Sequence, residues 1–305
     1  MIQTVKGIID ANEIGVTLMH EHIICDSIGA DYIDNTKYDV EEIVKTMILY
    51  LKKLKEAGCD TLVDSTPPGE GRSAKILKEC SIQSGLNIIT NTGSFYGNGV
   101  SKDIRENDIE EIVQIWEKEY IEGIDGTKIK PGFIKIALDD GRISLLQEKI
   151  LRAACRTSLK TNLSIQCHAI LSETVSQATS ILKEEGVEFS KFIWAHADSE
   201  CNIPKMVELG KQEMWIEIDS IGSMAYEKHI DILKVLIEKG IIDRLLISQD
   251  TGWYNIGEEK GGNIRPYHKI LTEFIPICYK KGLKKEEIHT IMVSNPARCL
   301  DIKLG

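Results

Sequence analysis

Positive charge is scarce in this chain of 305 residues, which has 37 Lys and Arg against 47 Asp and Glu and a net charge of −10. Because nucleic-acid backbones bind basic surfaces, this balance argues against a nucleic-acid partner. Long apolar runs are also missing, and none approaches the ~20 residues that a membrane span requires. The first residues contain no apolar segment of the kind that marks a signal peptide. We therefore expect a cytoplasmic protein that does not bind membranes.

Closely spaced cysteine pairs are absent as well. The chain has eight cysteines, and no two of them are arranged as Cys-x-x-Cys. Without a secretion signal they are best interpreted as reduced thiols. Cys167 directly precedes His168, but alternation along a strand turns the two side chains to opposite faces. We therefore interpret Cys167 as a packing residue.

Short apolar runs alternate with amphipathic stretches along the whole chain. Eight runs can be counted, beginning at residues 15, 61, 88, 133, 163, 192, 215 and 245. The stretches between them include residues 40–57, 144–159 and 226–239, where apolar residues recur at helical spacing. Eight strand–helix repeats predict an α/β fold with a closed parallel sheet, the (β/α)₈ or TIM barrel. With 42% hydrophobic residues, one domain over residues 1–305 is expected.

Two histidines flank a glutamate at the end of the first apolar run, in the segment His20-Glu21-His22. Residues two apart in a strand point to the same face, so His20 and His22 converge while Glu21 points away. Two imidazoles on one face are a natural start for a zinc site. For an isolated His-x-His, two polar residues that merely close a strand are an equally good interpretation.

Residues that can bind metal recur in the later runs. His168, His196 and Asp250 each directly follow an apolar run, and Lys135 lies within another. Because barrel strands converge at their carboxyl ends, where active sites lie, we expect these side chains to meet in one pocket and predict a metal site there. The other histidines lie in or beside helical stretches and are interpreted as solvated or capping residues: His229, His268 and His289.

The order of these residues resembles the phosphotriesterase family of the amidohydrolase superfamily. The resemblance covers essentially the full length, and its most specific segments are residues 15–22, 132–135 and 293–298. It implies a (β/α)₈ barrel, a hydrolase acting on ester bonds and a small-molecule substrate. Family members of this kind are usually homodimers.

The resemblance also implies two divalent metal ions per chain, with Zn²⁺ expected first and Mn²⁺ or Co²⁺ as alternatives. His20, His22 and Asp250 would bind the more buried ion. His168 and His196 would bind the more exposed one.

Lys135 matches the lysine that the family carboxylates, so that its carbamate bridges both ions. A lysine in an apolar strand is costly to bury as an ammonium ion, so its pKa should fall and the free amine can take up CO₂. The alternative is a lysine whose amine extends from the strand to solvent.

The reaction implied is attack by a hydroxide that bridges both metals, with Asp250 taking its proton and passing it to the leaving group. In organophosphate-hydrolysing members a histidine and an aspartate extend this proton path. The corresponding positions here are Ser220 and Ser199, with Asp219 and Asp198 beside them. We therefore expect Asp250 to act alone and an organophosphate triesterase to be the weaker interpretation.

Substrate specificity in barrels lies in the loops, and residues 251–267 follow the last strand. This loop resembles the branch of the family that hydrolyses lactones of phosphorylated sugars, where Arg265 and Tyr267 match the residues that hold the phosphate. An arginine suits phosphate because its planar fork donates two charge-assisted hydrogen bonds. A surface arginine paired with a neighbouring glutamate is the alternative. Lys228, after the seventh strand, is a further candidate phosphate contact.

Three functions are consistent with the sequence. The first is a lactonase that opens phosphorylated sugar lactones. The second is another hydrolase of the same family, acting on N-acyl-homoserine lactones, carboxylic esters or phosphotriesters, whose pocket should be mainly apolar. The third is a non-catalytic binding protein, which the complete set of six metal-binding residues argues against.

Overall fold

A computed structural model describes residues 1–302 of the chain. The strands are β1 (Ile2–Thr4), β2 (Gly7–Ile9), β3 (Thr17–Cys25), β4 (Thr61–Asp64), β5 (Asn87–Ile89), β6 (Asn91–Gly93), β7 (Phe133–Ala137), β8 (Ile165–His168), β9 (Phe192–Ala195), β10 (Trp215–Ile218), β11 (Leu245–Ile247) and β12 (Gly252–Asn255). The α-helices are α1 (Val40–Glu56), α2 (Ala74–Ser84), α3 (Lys102–Glu106), α4 (Ile109–Glu122), α5 (Leu145–Thr161), α6 (Ser172–Glu185), α7 (Ala197–Glu200), α8 (Ile203–Lys211), α9 (Tyr226–Glu238), α10 (Ile275–Lys280), α11 (Lys285–His289) and α12 (Asn295–Cys299). Among these helices none is long and apolar enough to cross a bilayer.

The strands from β3 onward form a barrel of parallel strands, and β1 and β2 form a separate antiparallel hairpin. One arc runs in the order β6-β7-β8-β9-β10-β11 and the other in the order β5-β4-β3-β12. Two backbone hydrogen bonds join the arcs beside β11, from Asp250 N–H to the His20 carbonyl (3.1 Å) and from His22 N–H to the Thr251 carbonyl (2.9 Å). On the other side Thr90 alone separates β5 from β6. The (β/α)₈ barrel predicted from the sequence is confirmed.

The helices that cover the barrel begin and end close to the predicted positions. Helix α1 begins after Asp39, whose carboxylate accepts a hydrogen bond from Glu42 N–H, and α5 begins after Ser144, which forms a capping box with Gln147. Cys167 is fully buried between strands and helices, which confirms its packing role.

The first barrel strand is longer than predicted. It was expected to end with the segment His20-Glu21-His22, but β3 extends to Cys25 because β12 pairs with its second half, with Gly252 opposite His22. Gly252 has a φ of +99°, and a Cβ there would lie 1.9 Å from the His22 carbonyl oxygen. Only glycine allows this approach, so the segment after β11 can lie directly against the strand that carries both histidines.

A layer of apolar side chains fills the barrel beneath the carboxyl ends of the strands. Its members on the barrel strands are Met19, Val63, Ile89, Phe133, Ile193, Trp215 and Leu246. Residues two apart share a face, so Lys135 follows Phe133 on the inward side of β7. Met19 and His20 both face inward although they are adjacent, because the pairing of β3 with β4 shifts register between Leu18 and Glu21. The polar side chains of the site therefore lie directly above a layer of packed apolar side chains.

Candidate active site

The six residues predicted to bind metal meet around one cavity of about 290 Å³ at the carboxyl ends of the strands. They are His20, His22, Lys135, His168, His196 and Asp250. The rest of the lining combines three large apolar side chains with two serines: Phe95, Ile170, Trp253, Ser199 and Ser220.

Three of the four imidazoles are oriented by a hydrogen bond on Nδ1. His20 Nδ1 lies 2.9 Å from Asp219 Oδ2, and His196 Nδ1 lies 2.8 Å from Asp219 Oδ1. His22 Nδ1 lies 2.8 Å from the hydroxyl of Thr66, which donates its own proton to the Ile24 carbonyl. Since each of these partners accepts, Nδ1 carries the proton and the Nε2 lone pair is left for a metal ion.

Sequence reasoning gave Asp219 no defined role, yet its carboxylate holds two of the imidazoles at once. It is fully buried at the end of β10 and also accepts a hydrogen bond from His196 N–H at 3.0 Å. Its distances to His20 and His196 would also suit a metal ligand. Because it lies on the Nδ1 side of both rings, we interpret it as the group that orients them. Asp219 directly follows an apolar run in the sequence, as Asp250 does, and this position could have indicated a role at the site.

His20, His22 and Asp250 form a cluster whose potential ligand atoms all lie within 4.8 Å of one another. His22 Nε2 is 3.1 Å from Asp250 Oδ1, and this oxygen has no hydrogen-bond partner among residues 1–302. A buried carboxylate oxygen without a donor, facing imidazole lone pairs, is the arrangement that a cation would complete.

His168 and His196 lie on the other side of His20. The ring centroids of His168 and His196 are 4.5 Å apart, and those of His20 and His196 are 4.8 Å apart. Burial lowers the pKa of His20 and of His22, and it lowers the pKa of His168 to about 3. The neutral imidazoles of His20, His22 and His168 are the form that binds metal, whereas the Asp219 carboxylate raises the pKa of His196 although burial acts in the opposite direction.

Lys135 is almost completely buried among these groups. Its Nζ lies 3.2 Å from His20 Nε2 and 3.2 Å from Gln166 Oε1. Burial lowers its pKa, although the carboxylates of Glu217 and Asp219 act in the opposite direction. A lysine with a lowered pKa has more of the free amine that reacts with CO₂, so the surroundings suit the predicted carbamate.

Glu21, between the two histidines of β3, points away from the cavity and holds the segment that carries Asp250. Its carboxylate accepts hydrogen bonds from the Ser248 hydroxyl (2.8 Å), the Gln249 N–H (3.1 Å) and both the N–H and hydroxyl of Thr251 (2.7 and 2.6 Å). These bonds fix the residues on either side of Asp250, which itself has a φ of +52°. One strand thus supplies two candidate ligands and the anchor of a third.

The structure does not bring the three predicted substrate-binding residues into the cavity. Tyr267 is fully buried, and its hydroxyl donates to the His22 carbonyl oxygen at 2.7 Å, so it supports β3 and cannot hold a substrate phosphate. Arg265 is exposed and donates from one guanidinium nitrogen to the Asp250 carbonyl oxygen at 2.9 Å. Lys228 is exposed on α9 and is not among the cavity-lining residues.

Trp253 is a wall of the site that sequence reasoning missed. Its ring stacks on His22 with centroids 3.7 Å apart, and its Nε1 donates to the Asp250 carbonyl oxygen at 3.0 Å. The aromatic residue in a glycine-containing loop was visible in the sequence, but its contact with His22 depends on the fold of that loop.

His229 is not the solvated or capping residue predicted from the sequence. It is fully buried, and its Nε2 lies 3.3 Å from Ser220 Oγ and 3.6 Å from Asp198 Oδ2. The reason is the rotation of α9, whose buried face also carries Ile230, Leu233 and Leu236. His289 is exposed as expected, and His268 is half-buried.

A (β/α)₈ barrel with this constellation at its carboxyl face is typical of metal-dependent hydrolases. The chain belongs to the phosphotriesterase family, whose family model matches residues 1–300. It is 26% identical over 291 residues to the phosphotriesterase homology protein of Escherichia coli (strain K12), covering 93% of this chain and 97% of that protein.

Two other relatives carry names that describe an activity. The chain is 28% identical over 304 residues to an aryldialkylphosphatase of Saccharolobus solfataricus, covering 96% of this chain and 97% of the relative. It is 24% identical over 347 residues to the N-acetyltaurine hydrolase of Homo sapiens, covering 99% of this chain and 98% of that hydrolase. The protein is accordingly a metal-dependent hydrolase of the phosphotriesterase family.

Proposed function

We propose that this hydrolase uses two metal ions to open lactones, with lactones of phosphorylated sugars as its first candidate substrates. The observation that supports this best is the convergence of four imidazoles, one carboxylate and one buried lysine on a single small cavity. Such a donor set suits Zn²⁺ and is also accepted by Mn²⁺ and Co²⁺.

The ligands divide between two positions. His20, His22 and Asp250, whose potential ligand atoms all lie within 4.8 Å of one another, would hold the more buried ion, and His168 and His196 would hold the more exposed one. Lys135, once carboxylated, would supply oxygen ligands to both. When bound, the ions supply a water nucleophile at neutral pH and polarise the scissile carbonyl oxygen.

The residues of the chain then position the reaction and move its proton. Asp250 would bind one ion through Oδ1, which lacks a hydrogen-bond donor, and its other carboxylate oxygen takes the proton of the attacking water and returns it to the leaving oxygen. A lactone keeps its leaving oxygen tethered to the acyl group, so the proton need not travel to the surface. This accords with serines at Ser199 and Ser220, where a longer relay would need groups that titrate.

Metal content and a substrate panel test this proposal. Enzyme loaded with Zn²⁺ is expected to hold about two ions per chain and to hydrolyse lactones. A chelator should remove the bound metal and the lactonase activity together. The panel contains sugar lactones with and without phosphate, N-acyl-homoserine lactones, aryl esters, a dialkyl aryl phosphate and N-acyl amides. A protein that holds two ions but turns over no lactone would exclude the proposed function while leaving the metal centre intact.

The proposal of a phosphorylated sugar as substrate depends on Arg265 alone, because Tyr267 is fully buried against β3. One guanidinium nitrogen of Arg265 donates to the backbone carbonyl oxygen of Asp250, and none of the carboxylates in residues 1–302 forms an ion pair with this arginine. The predicted alternative of a partner among Glu258 and Glu259 is therefore not observed. An exposed, unpaired guanidinium next to the reacting centre is suited to a phosphate that projects from the cavity.

Arg265→Ala is expected to reduce kcat/KM for a phosphorylated lactone by about 10²-fold, the ~2–3 kcal/mol of a charge-assisted bidentate contact, and to affect the unphosphorylated lactone much less. Steady-state kinetics on matched lactone pairs measures this. Lys228→Ala is the control, because it removes an exposed cation of α9 that, unlike Arg265, does not contact the Asp250 peptide. Equal losses on both lactones would show that Arg265 supports the Asp250 peptide and does not read phosphate.

A second candidate is a hydrolase of unphosphorylated acyl substrates. Phe95, Ile170 and Trp253 give the cavity an apolar wall that suits an acyl chain or a ring. The names of the two relatives extend this candidate to aryl phosphotriesters and N-acyl amides. A preference for these members of the panel over every sugar lactone would favour it.

A further inference from the structure

One hydroxyl in the cavity wall has its hydrogen bonds arranged by two buried side chains. Ser220 follows β10 and lines the cavity, and its Oγ lies 2.5 Å from Asp198 Oδ2 and 3.3 Å from His229 Nε2. Asp198 is 1% exposed and His229 is 0% exposed. A buried carboxylate and a buried imidazole thus converge from behind on a single serine that faces the substrate space.

The direction of each hydrogen bond follows from what each partner can do. Asp198 Oδ2 also lies 3.2 Å from the Ser220 N–H, so this carboxylate oxygen accepts from both the amide and the hydroxyl of the serine. His229 Nε2 faces two oxygens, at 3.3 Å and 3.6 Å, and therefore carries its proton and donates. Ser220 Oγ gives its proton to Asp198, receives one from His229 and retains one lone pair.

The other serine in the wall lacks this arrangement. Ser199 is exposed, and within residues 1–302 its side chain makes no hydrogen bond, although its N–H bonds to the His196 carbonyl oxygen. Its hydroxyl is therefore able to rotate and either donate or accept. Ser220 differs because its proton is already committed, so toward a substrate it is an acceptor only.

We infer that Ser220 Oγ accepts a hydrogen bond from the substrate, and that the enzyme prefers lactones with an O–H or N–H donor on the ring carbon next to the scissile carbonyl. This inference rests on the proposed lactone chemistry. Ser220 directly follows Asp219, whose carboxylate holds His20 and His196, so the acceptor lies beside the reacting centre. A site built to pair with a donor discriminates against analogues that lack it.

Lactones of one ring size that differ at that single carbon test the preference on the Zn²⁺-loaded wild-type enzyme. The ring carbon carries a hydroxyl, a methoxy group, hydrogen, an N-acylamino group or its N-methyl derivative. We expect kcat/KM to be about tenfold higher for a donor-bearing lactone than for its methylated counterpart, the effect of one net hydrogen bond. Comparison of the hydroxy lactone with the N-acylamino lactone shows which of the two donors the enzyme prefers. A methoxy lactone as good as the hydroxy lactone would overturn the inference without any variant being made.

Ser220→Ala supplies the second measurement. The ratio of kcat/KM between donor-bearing and methylated lactones should fall from about tenfold toward one. Ser199→Ala is the matched control and should keep the ratio, because that hydroxyl is not held by Asp198 and His229. A ratio that survives in Ser220→Ala would assign the preference to another group.

Failure of the inference and failure of the proposed function give different results. If lactones are opened without a donor preference, the inference fails and the function stands. If no lactone is opened, the inference is still tested by calorimetric binding of the open-chain 2-hydroxy acid and its 2-methoxy counterpart. A dissociation constant about tenfold lower for the hydroxy acid, lost in Ser220→Ala, is then the expected result, and equal affinities would refute it.

Discussion

Lys135→Ala is expected to lose most of its bound metal and to reduce kcat/KM by at least about 100-fold. The buried Nζ lies 3.2 Å from His20 Nε2 and is the only side-chain nitrogen of β7 in the cavity, so no neighbour on that strand replaces a bridging carbamate. Mutation of groups that merely orient a ligand already lowers metal affinity or activity roughly 10–100-fold. Loss of a ligand to both ions should therefore cost more. Elemental analysis of purified protein and steady-state kinetics measure the two effects.

The controls separate the carbamate from general damage to the barrel. Lys135→Arg should not restore activity, because a guanidinium does not form a carbamate and remains charged in a buried strand. Short carboxylic acids added to Lys135→Ala should recover part of the metal and part of the rate, since they supply the missing carboxylate. Full metal content and normal kcat in Lys135→Ala would refute the bridged pair.

Asp250→Asn is expected to lower kcat by about 10²-fold or more while retaining more metal than His20→Ala. The amide keeps an oxygen that can contact an ion, but it cannot take a proton from the nucleophile. Measurement of kcat beside metal content for both variants gives the comparison. Near-normal kcat in Asp250→Asn would show that a group other than Asp250 carries the proton.

Asp219→Asn provides the contrasting control. Its carboxylate orients His20 and His196 without facing the cavity, so its loss should weaken metal retention by roughly 10–100-fold and be partly compensated by added Zn²⁺. Excess Zn²⁺ should not rescue Asp250→Asn. The two aspartates are thus distinguished by whether added metal restores the rate.

The barrel could be predicted from the sequence because strand and helix periodicities are local. Helix α1 was expected at residues 40–57 and is found at Val40–Glu56. The meeting of six distant side chains followed from one topological rule, that parallel strands present their carboxyl ends at the same face. Histidine and aspartate at the ends of the predicted strands were therefore enough to predict where the site lies.

The substrate side was less accessible to sequence reasoning, because it depends on long-range contacts of loops and helix rotation. Tyr267 was expected at the phosphate, but its hydroxyl bonds to the His22 carbonyl oxygen, 245 positions away in sequence. His229 was assigned to solvent, although the spacing to Ile230, Leu233 and Leu236 places it on the buried face of α9. The helical period of these residues indicates a buried position for His229, which the polarity of its side chain alone does not.

The single carboxylate of Asp219 has a thermodynamic consequence for the proposed metal pair. It orients His20, assigned to one ion, and His196, assigned to the other. An ion bound at either position would hold its imidazole in place and, through the hydrogen bonds of Asp219, would favour the orientation that the second imidazole needs. Occupancy of the two positions would therefore be linked through a residue that neither ion touches, and this coupling would favour chains holding both ions or none over chains holding one.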